Sequence, residues 1–343
     1  MLIASGKTIK IAVGTSTPAT VYTTTTDGSS NFSFTFSSLT ATTSLVLWVD
    51  ATTSIRAALF TMATSSSNSI SGLDLYQNRL VLAAQSTSTL TTTDLAFYDG
   101  DDDSDIRYTA NGGVLTVAAG QELHLASGTT FAPSGTLTLH GNAGSGTDGS
   151  LHLTGSSTYR TAYPTAIAGD LLASTTATID NTSVLSMTAS TTGKSISAPS
   201  SSSLGNLSFT GSGSWSFATN ATTTSLLINA GASVTAPADN LTVQGLFNND
   251  GTFTHNSGTT TMQSIREGIL DYLAGRDVSG DGSGTGSNSI YSFALSGTTL
   301  YVGKGANATA CSQVAGSAIG CELQVYDVSS STNPIYVAGR DIS

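Results

Sequence analysis

The sequence predicts an all-β chain in which a small β-sandwich is followed by a β-solenoid and then by a single propeller-type blade. Three observations predict it. Apolar residues come in short bursts of strand length, such as Leu45-Val46-Leu47-Trp48-Val49. Leucine-centred triplets recur between glycine- and asparagine-rich corners through 111–262. Near the end, Tyr272-Leu273-Ala274-Gly275-Arg276-Asp277-Val278-Ser279 returns as Tyr336-Val337-Ala338-Gly339-Arg340-Asp341-Ile342-Ser343, with strand-like runs between the copies.

Composition narrows the functional classes. The 343 residues carry 11 Lys+Arg against 22 Asp+Glu, a formal net charge of -11, and only 10% of residues are charged. About a third of the chain is Ser or Thr. With 38% hydrophobic residues arranged in bursts, the chain reads as folded, with hydroxyl side chains at the solvent-facing positions that Lys and Glu usually fill. Threonine suits a half-exposed pleated surface, and serine and glycine suit turns. Scattered basic residues in an acidic chain argue against a nucleic-acid partner and against a basic membrane-binding patch. No apolar run reaches the ~20 residues of a membrane span. Met1-Leu2-Ile3-Ala4-Ser5-Gly6 enters a strand pattern at once and shows no secretion signal, so the expectation is an internal stretch of a longer extracellular protein.

Residues 1–60 alternate as strands. Ile9, Ile11 and Val13 share one face, and so do Phe32, Phe34 and Phe36, with the turn Thr25-Thr26-Asp27-Gly28-Ser29-Ser30 between the two runs. A third strand, from Ser44 to Asp50, holds Trp48. The run Thr-Asp-Gly-Ser-Ser-Asn-Phe-Ser-Phe resembles carboxypeptidase-regulatory-like and collagen-adhesin B-type modules. That resemblance implies an Ig-like β-sandwich. Residues 61–110 form a connecting β region that ends in an acidic loop, Asp99 to Asp105.

In 111–262, Leu123-His124-Leu125, Leu137-Thr138-Leu139 and Leu151-His152-Leu153 recur at near-constant spacing and read as successive coils of a solenoid. The alternative is successive hairpins of a sandwich. Asn248-Asn249-Asp250-Gly251 reads as a corner that needs positive φ. The segment from Leu241 to Phe253 resembles the coils of right-handed parallel β-helix domains in autotransporters and filamentous adhesins. Met262 to Leu270 is the helix candidate, with Ile265, Ile269 and Leu273 on one face.

Over 263–343, Leu300-Tyr301-Val302, Val325-Tyr326-Asp327-Val328-Ser329, Asn333-Pro334 and Ile335-Tyr336-Val337-Ala338-Gly339 resemble the LVIVD family of β-propeller repeats. The resemblance implies one blade, truncated where the next would begin. Cys311 and Cys321 flank a short loop joining two strand-like runs. They read as a disulfide, with two unrelated buried thiols as the alternative.

Sites are few. Asp99, Asp101, Asp103 and Asp105 fall at every second position and offer carboxylate oxygens for calcium. Their loop lacks the EF-hand Gly and Glu, and a solvated acidic loop is the alternative. Asp277, Ser279 and Asp281 match the first half of a calcium loop. His124 and His152 occupy the same place in their triplets and read as a stacked pair pointing outward. A ladder of two His could hold a metal, but stacked like residues are normal in solenoids, and with no Cys or carboxylate read beside the pair no metal other than calcium is expected. There is no Gly-x-Ser-x-Gly, His-Glu-x-x-His or phosphate-loop motif, and no catalytic residue is assigned. The expectation is a non-catalytic extracellular scaffold or adhesive module of a bacterial cell surface, with extracellular glycans or proteins as partners. The alternative is a carbohydrate-active β-helix enzyme, a polysaccharide lyase or hydrolase.

Overall fold

The computed structural model describes residues 2–14, 19–36, 39–50, 55–64, 69–85, 89–141, 148–200 and 202–263, and the backbone of strands Ile290–Ser296, Thr299–Lys304, Ser312–Val314, Ser317–Ile319, Leu323–Asp327 and Ile335–Arg340. Contacts divide the chain into two units, Met1–Glu267 and Gly268–Ser343.

The first unit is a β-solenoid of parallel coils, about 9 turns. Each complete coil visits three faces in a fixed order. The first face stacks Arg79–Leu82, Glu122–Leu125, Leu151–Leu153, Leu171–Ala173, Lys194–Ser197, Ser214–Phe217, Ser233–Thr235 and Thr252–Thr254. The second holds Thr89–Leu90, Thr130–Phe131, Thr158–Thr161 and Thr178–Asn181, then Ala221–Thr223, Asn240–Val243 and Thr259–Met262. The third runs from Val114–Val117 through Leu137–Leu139, Thr165–Ile167, Val184–Met187, Asn206–Phe209 and Ser225–Ile228 to Phe247–Asn249.

Strand periodicity explains why these short segments stack. In Leu137-Thr138-Leu139, both leucines point inward and are buried, while Thr138 points out. In-register pairing then builds inward columns. Leu115, Leu137, Thr165, Leu185, Leu207, Leu226 and Phe247 form one, and Val117, Leu139, Ile167, Met187, Phe209 and Ile228 another. No single coil encloses a core. Each meets its own opposite faces across the interior, as where Tyr159 hydrogen-bonds Thr165 at 2.6 Å, and closes its apolar side above and below against its neighbours.

This geometry corrects the reading of the triplets as one per coil. Leu123–Leu125 and Leu151–Leu153 are cross-strand partners on the first face, whereas Leu137–Leu139 lies on the third. The spacing between triplets is therefore the step between faces. The step between coils is longer, roughly 20 residues where Leu151 pairs with Leu171 and Trp215 with Val234.

The corners depend on small residues for two different reasons. Gly205 has φ +65°, and a Cβ there would meet the Asn181 carbonyl oxygen of the neighbouring coil at 2.6 Å. Gly251 has no positive φ. A Cβ there would meet the carbonyl oxygens of Ala232 and Asn229, each at 2.5 Å. The 248–251 corner is thus governed by close approach between coils, not by left-handed backbone.

Residues 1–60, expected as an Ig-like sandwich, take another form. Strand Thr8–Gly14 pairs antiparallel with Thr20–Thr25 and Ser44–Val49, and the latter with Ala58–Met62. Ala58–Met62 then pairs in parallel with Arg79–Leu82, so the antiparallel strands extend the first face of the solenoid as one continuous sheet. One side of this sheet places Val46, Trp48 and Phe60 in the solenoid core. The other side places Ile9, Ile11, Leu45, Leu47 and Leu59 in a second core, packed against Phe32, Phe34, Phe36, Ile70 and Leu73. The three phenylalanines alternate as expected but belong to an extended segment outside any strand. Asp27 forms the turn before them, accepting from the Ser29 and Asn31 amides at 2.8 Å each.

The second unit contains a four-stranded antiparallel meander, Ile290–Ser296, Thr299–Lys304, Leu323–Asp327 and Ile335–Arg340, with the hairpin Ser312–Val314/Ser317–Ile319 between its second and third strands. The helix expected over 262–270 lies, beyond Gln263, outside the described residues, as do Cys311 and Cys321. The helix that is described, Thr92–Leu95, is a single turn closed by a Thr91/Asp94 capping box. No helix among the described residues is long and apolar enough to cross a membrane.

Candidate metal centre

On strand Glu122–Leu125, Leu123 and Leu125 are fully buried in the core, so period-two alternation turns Glu122 and His124 to the outside. On the next coil, Leu151 and Leu153 point in and His152 points out. Register places His152 beside His124, and on the preceding strand it places Arg79 beside Glu122. Four side chains from three stacked strands thus meet at one spot through backbone pairing alone.

Their atoms converge on a single oxygen. Nδ1 of His124 and Nδ1 of His152 each donate to Glu122 Oε1 at 3.2 Å, and Arg79 Nε donates to the same oxygen at 3.1 Å. The imidazole rings meet edge to face with centroids 5.0 Å apart. The Arg79 guanidinium lies 5.2 Å from the centre of the Tyr76 ring, which flanks His124. The site sits where the outer cover of the sheet ends. Val81, the in-register partner of His124, still belongs to the second core, whereas the His152 side chain is 29% exposed. Burial pushes the Glu122 carboxyl up, but the hydrogen bonds from His124 and His152 and the charge of Arg79 outweigh it and hold the group down at about 2.

Among the described residues this is the one group of three or more His, Cys, Asp or Glu side chains whose ligand atoms converge, all within 4.8 Å of one another. A scan against protein-family models finds no match for the chain, and neither do searches of curated proteins and of solved structures.

The site includes a residue that the sequence reading passed over. Glu122 stands two positions before His124. The Glu-x-His spacing in an alternating strand was the available signal, since it puts both groups on one face. His124 is also more enclosed than an outward-pointing residue suggests, at 8% exposed, because Tyr76 and Glu122 flank it.

The carboxylates of the acidic run have partners within the chain. Asp99 is buried, and its Oδ2 accepts from the Ala110 amide at 2.6 Å while its Oδ1 accepts from the Asp101 amide at 2.8 Å. Asp103 accepts from the Asp105 amide and lies 3.7 Å from Lys10 Nζ, and Asp105 pairs with Arg56 at 2.7 Å. Asp101 is exposed. The run therefore folds as a turn whose carboxylates serve backbone amides and two cations, Lys10 on strand Thr8–Gly14 and Arg56 just before strand Ala58–Met62. Asp277, Ser279 and Asp281 lie outside the described residues. His140 and His255 are exposed, directly after strands Leu137–Leu139 and Thr252–Thr254, and take no part in the His124–His152 pairing.

The solenoid carboxylates also have separate local partners. Asp148 binds Lys194 Nζ at 2.7 Å and accepts from Thr191 Oγ1, with its side chain 3% exposed. Asp170 accepts from the Ser195 amide at 2.7 Å, and Asp180 pairs with Arg160 at 3.0 Å on the exposed surface.

Proposed function

We propose that this chain is a non-catalytic scaffold of an extracellular bacterial surface protein, in which the stacked coils hold a hydroxyl-rich exterior for contact with glycans or proteins. The observation that carries the reading is the content of the outward columns. Thr89, Thr130, Thr158 and Thr178 are in-register neighbours on the second face, and Thr222, Thr242 and Thr261 form another such column. Neighbouring hydroxyls at the ~4.8 Å strand spacing offer repeated donors and acceptors without charge, which suits the low charge of the chain. In this reading the N-terminal antiparallel strands cap the first coil, covering the edge that stacked repeats would otherwise expose. The four-stranded meander of the second unit fits one blade of the LVIVD type.

The alternative, a carbohydrate-active β-helix enzyme, is disfavoured by the partners of Asp148, Asp170 and Asp180. Each is tied to a different cation or amide, and a glycosidase needs paired carboxylates facing one groove.

Two measurements test the proposal together. Antibody raised against residues 2–263 labels intact producing cells, and the purified chain releases neither unsaturated product nor new reducing ends from polygalacturonate or alginate. Labelling only after lysis contradicts the surface reading, and release of unsaturated sugar or of new reducing ends favours the enzyme.

A further inference from the structure

We propose that Glu122, His124 and His152 bind a divalent transition cation of the zinc class. The reading is independent of whether the solenoid is a scaffold or an enzyme.

The donor set decides the class of ion. Two imidazole nitrogens and one carboxylate oxygen suit zinc, nickel, cobalt or copper, whereas calcium and magnesium take oxygen donors almost throughout. The spacing fits as well. A tetrahedral centre with bonds of about 2.0–2.2 Å separates its donors by roughly 3.3–3.5 Å. Both Nδ1 atoms stand 3.2 Å from Glu122 Oε1. The three residues project from paired strands, not from loops, so little reorganisation is needed to close the site. The ion takes the place of the two Nδ1 protons. Each imidazole carries its proton on Nε2 and presents the Nδ1 lone pair inward.

Arg79 defines the opposing force. Its Nε competes for the same carboxylate oxygen and brings a positive charge to the edge of the site. When the ion binds, Arg79 is left the second carboxylate oxygen and so orients the ligand from behind. Three protein ligands leave a fourth position for water or an outside donor. It opens on the His152 side, where the cover over the sheet ends.

The test uses the full chain, stripped with a chelator and dialysed. Zinc chloride and calcium chloride are titrated by calorimetry into the wild-type chain and into the His152→Ala and Glu122→Gln variants, with far-ultraviolet circular dichroism as the check on folding. Comparison with the variants removes zinc bound at Cys311, Cys321 or elsewhere from the count. The expected result is one zinc equivalent in the wild-type chain that each variant binds about tenfold or more weakly, and that calcium does not displace. Equal zinc stoichiometry and affinity in the wild-type chain and both variants overturns the proposal. Should the variants lose their β signal, cobalt(II) bound to the wild-type chain decides. Paramagnetically shifted ring protons from two histidines support the site, and their absence overturns it.

Discussion

His124 and His152 stand edge to face, ring centroids 5.0 Å apart, because they are in-register partners on adjacent coils and both turn away from the core. Backbone pairing alone brings together residues distant in the chain, and Glu122 joins them by the same alternation. The balance of charge at that spot then depends on one carboxylate facing two imidazoles and a guanidinium.

That balance makes stability depend on pH. The folded Glu122 carboxyl titrates at about 2, below its ordinary value of 4.5. A carboxyl with a depressed folded pKa stabilises the fold above its unfolded value and loses that contribution as pH falls toward the folded one. The contribution is up to about 3 kcal/mol, with its loss spread between pH ~4.5 and ~2. In chelator, Glu122→Gln melts below the wild-type chain at neutral pH, and the two curves converge as the pH approaches 2. A constant gap across that range contradicts the assignment.

The buried Asp148–Lys194 pair makes a second test. Removing Asp148 leaves the Lys194 ammonium, 12% exposed, without its 2.7 Å partner. Asp148→Ala is expected to cost about 3–5 kcal/mol in urea unfolding. The double variant Asp148→Leu, Lys194→Met recovers most of the loss, because the penalty belongs to the stranded charge and not to the missing contact.

Phe209 packs against Trp215 and Phe217, with ring centroids 5.0 and 6.3 Å away. Phe209→Ala is expected to cost about 3–5 kcal/mol. Since stacked coils depend chiefly on their neighbours, hydrogen exchange should accelerate in 184–228 more than in 44–62. A uniform acceleration over both stretches would show a single cooperative core.

Two glycines separate backbone strain from crowding. Gly193 has φ +79° with nothing within 4 Å of an added Cβ, whereas Gly205 combines φ +65° with a carbonyl oxygen at 2.6 Å. Gly193→Ala is expected to cost about 1 kcal/mol, and Gly205→Ala distinctly more, in thermal melts. Equal costs would mean that the coils yield freely at Gly205.

The all-β class and the solenoid were legible because Leu-x-Leu triplets between small-residue corners satisfy both the strand period and the stacking requirement. The assignment of triplets to faces was not, since Leu123–Leu125 and Leu137–Leu139 have the same local pattern and only pairing separates them. The N-terminal strands read as a sandwich because alternation in Ile9, Ile11 and Val13 does not reveal which sheet they extend. Of the candidate metal centre, the histidine pair was visible as a stacked repeat. Arg79 was not, because it arrives through register with a strand before the long excursion that carries the acidic run.

Cysteine cross-linking across the second face tests coil stacking most directly. In a Cys311→Ser, Cys321→Ser background, Thr222→Cys with Thr242→Cys places two thiols on in-register partners about 4.8 Å apart, within reach of a disulfide. Thr222→Cys with Thr261→Cys places them two coils apart, about 9.6 Å, beyond that reach. Rapid intramolecular disulfide formation under mild oxidant in the first pair and none in the second is the predicted result. Equal rates in the two, or a faster reaction in the second, would contradict the stacked-coil architecture on which the rest depends.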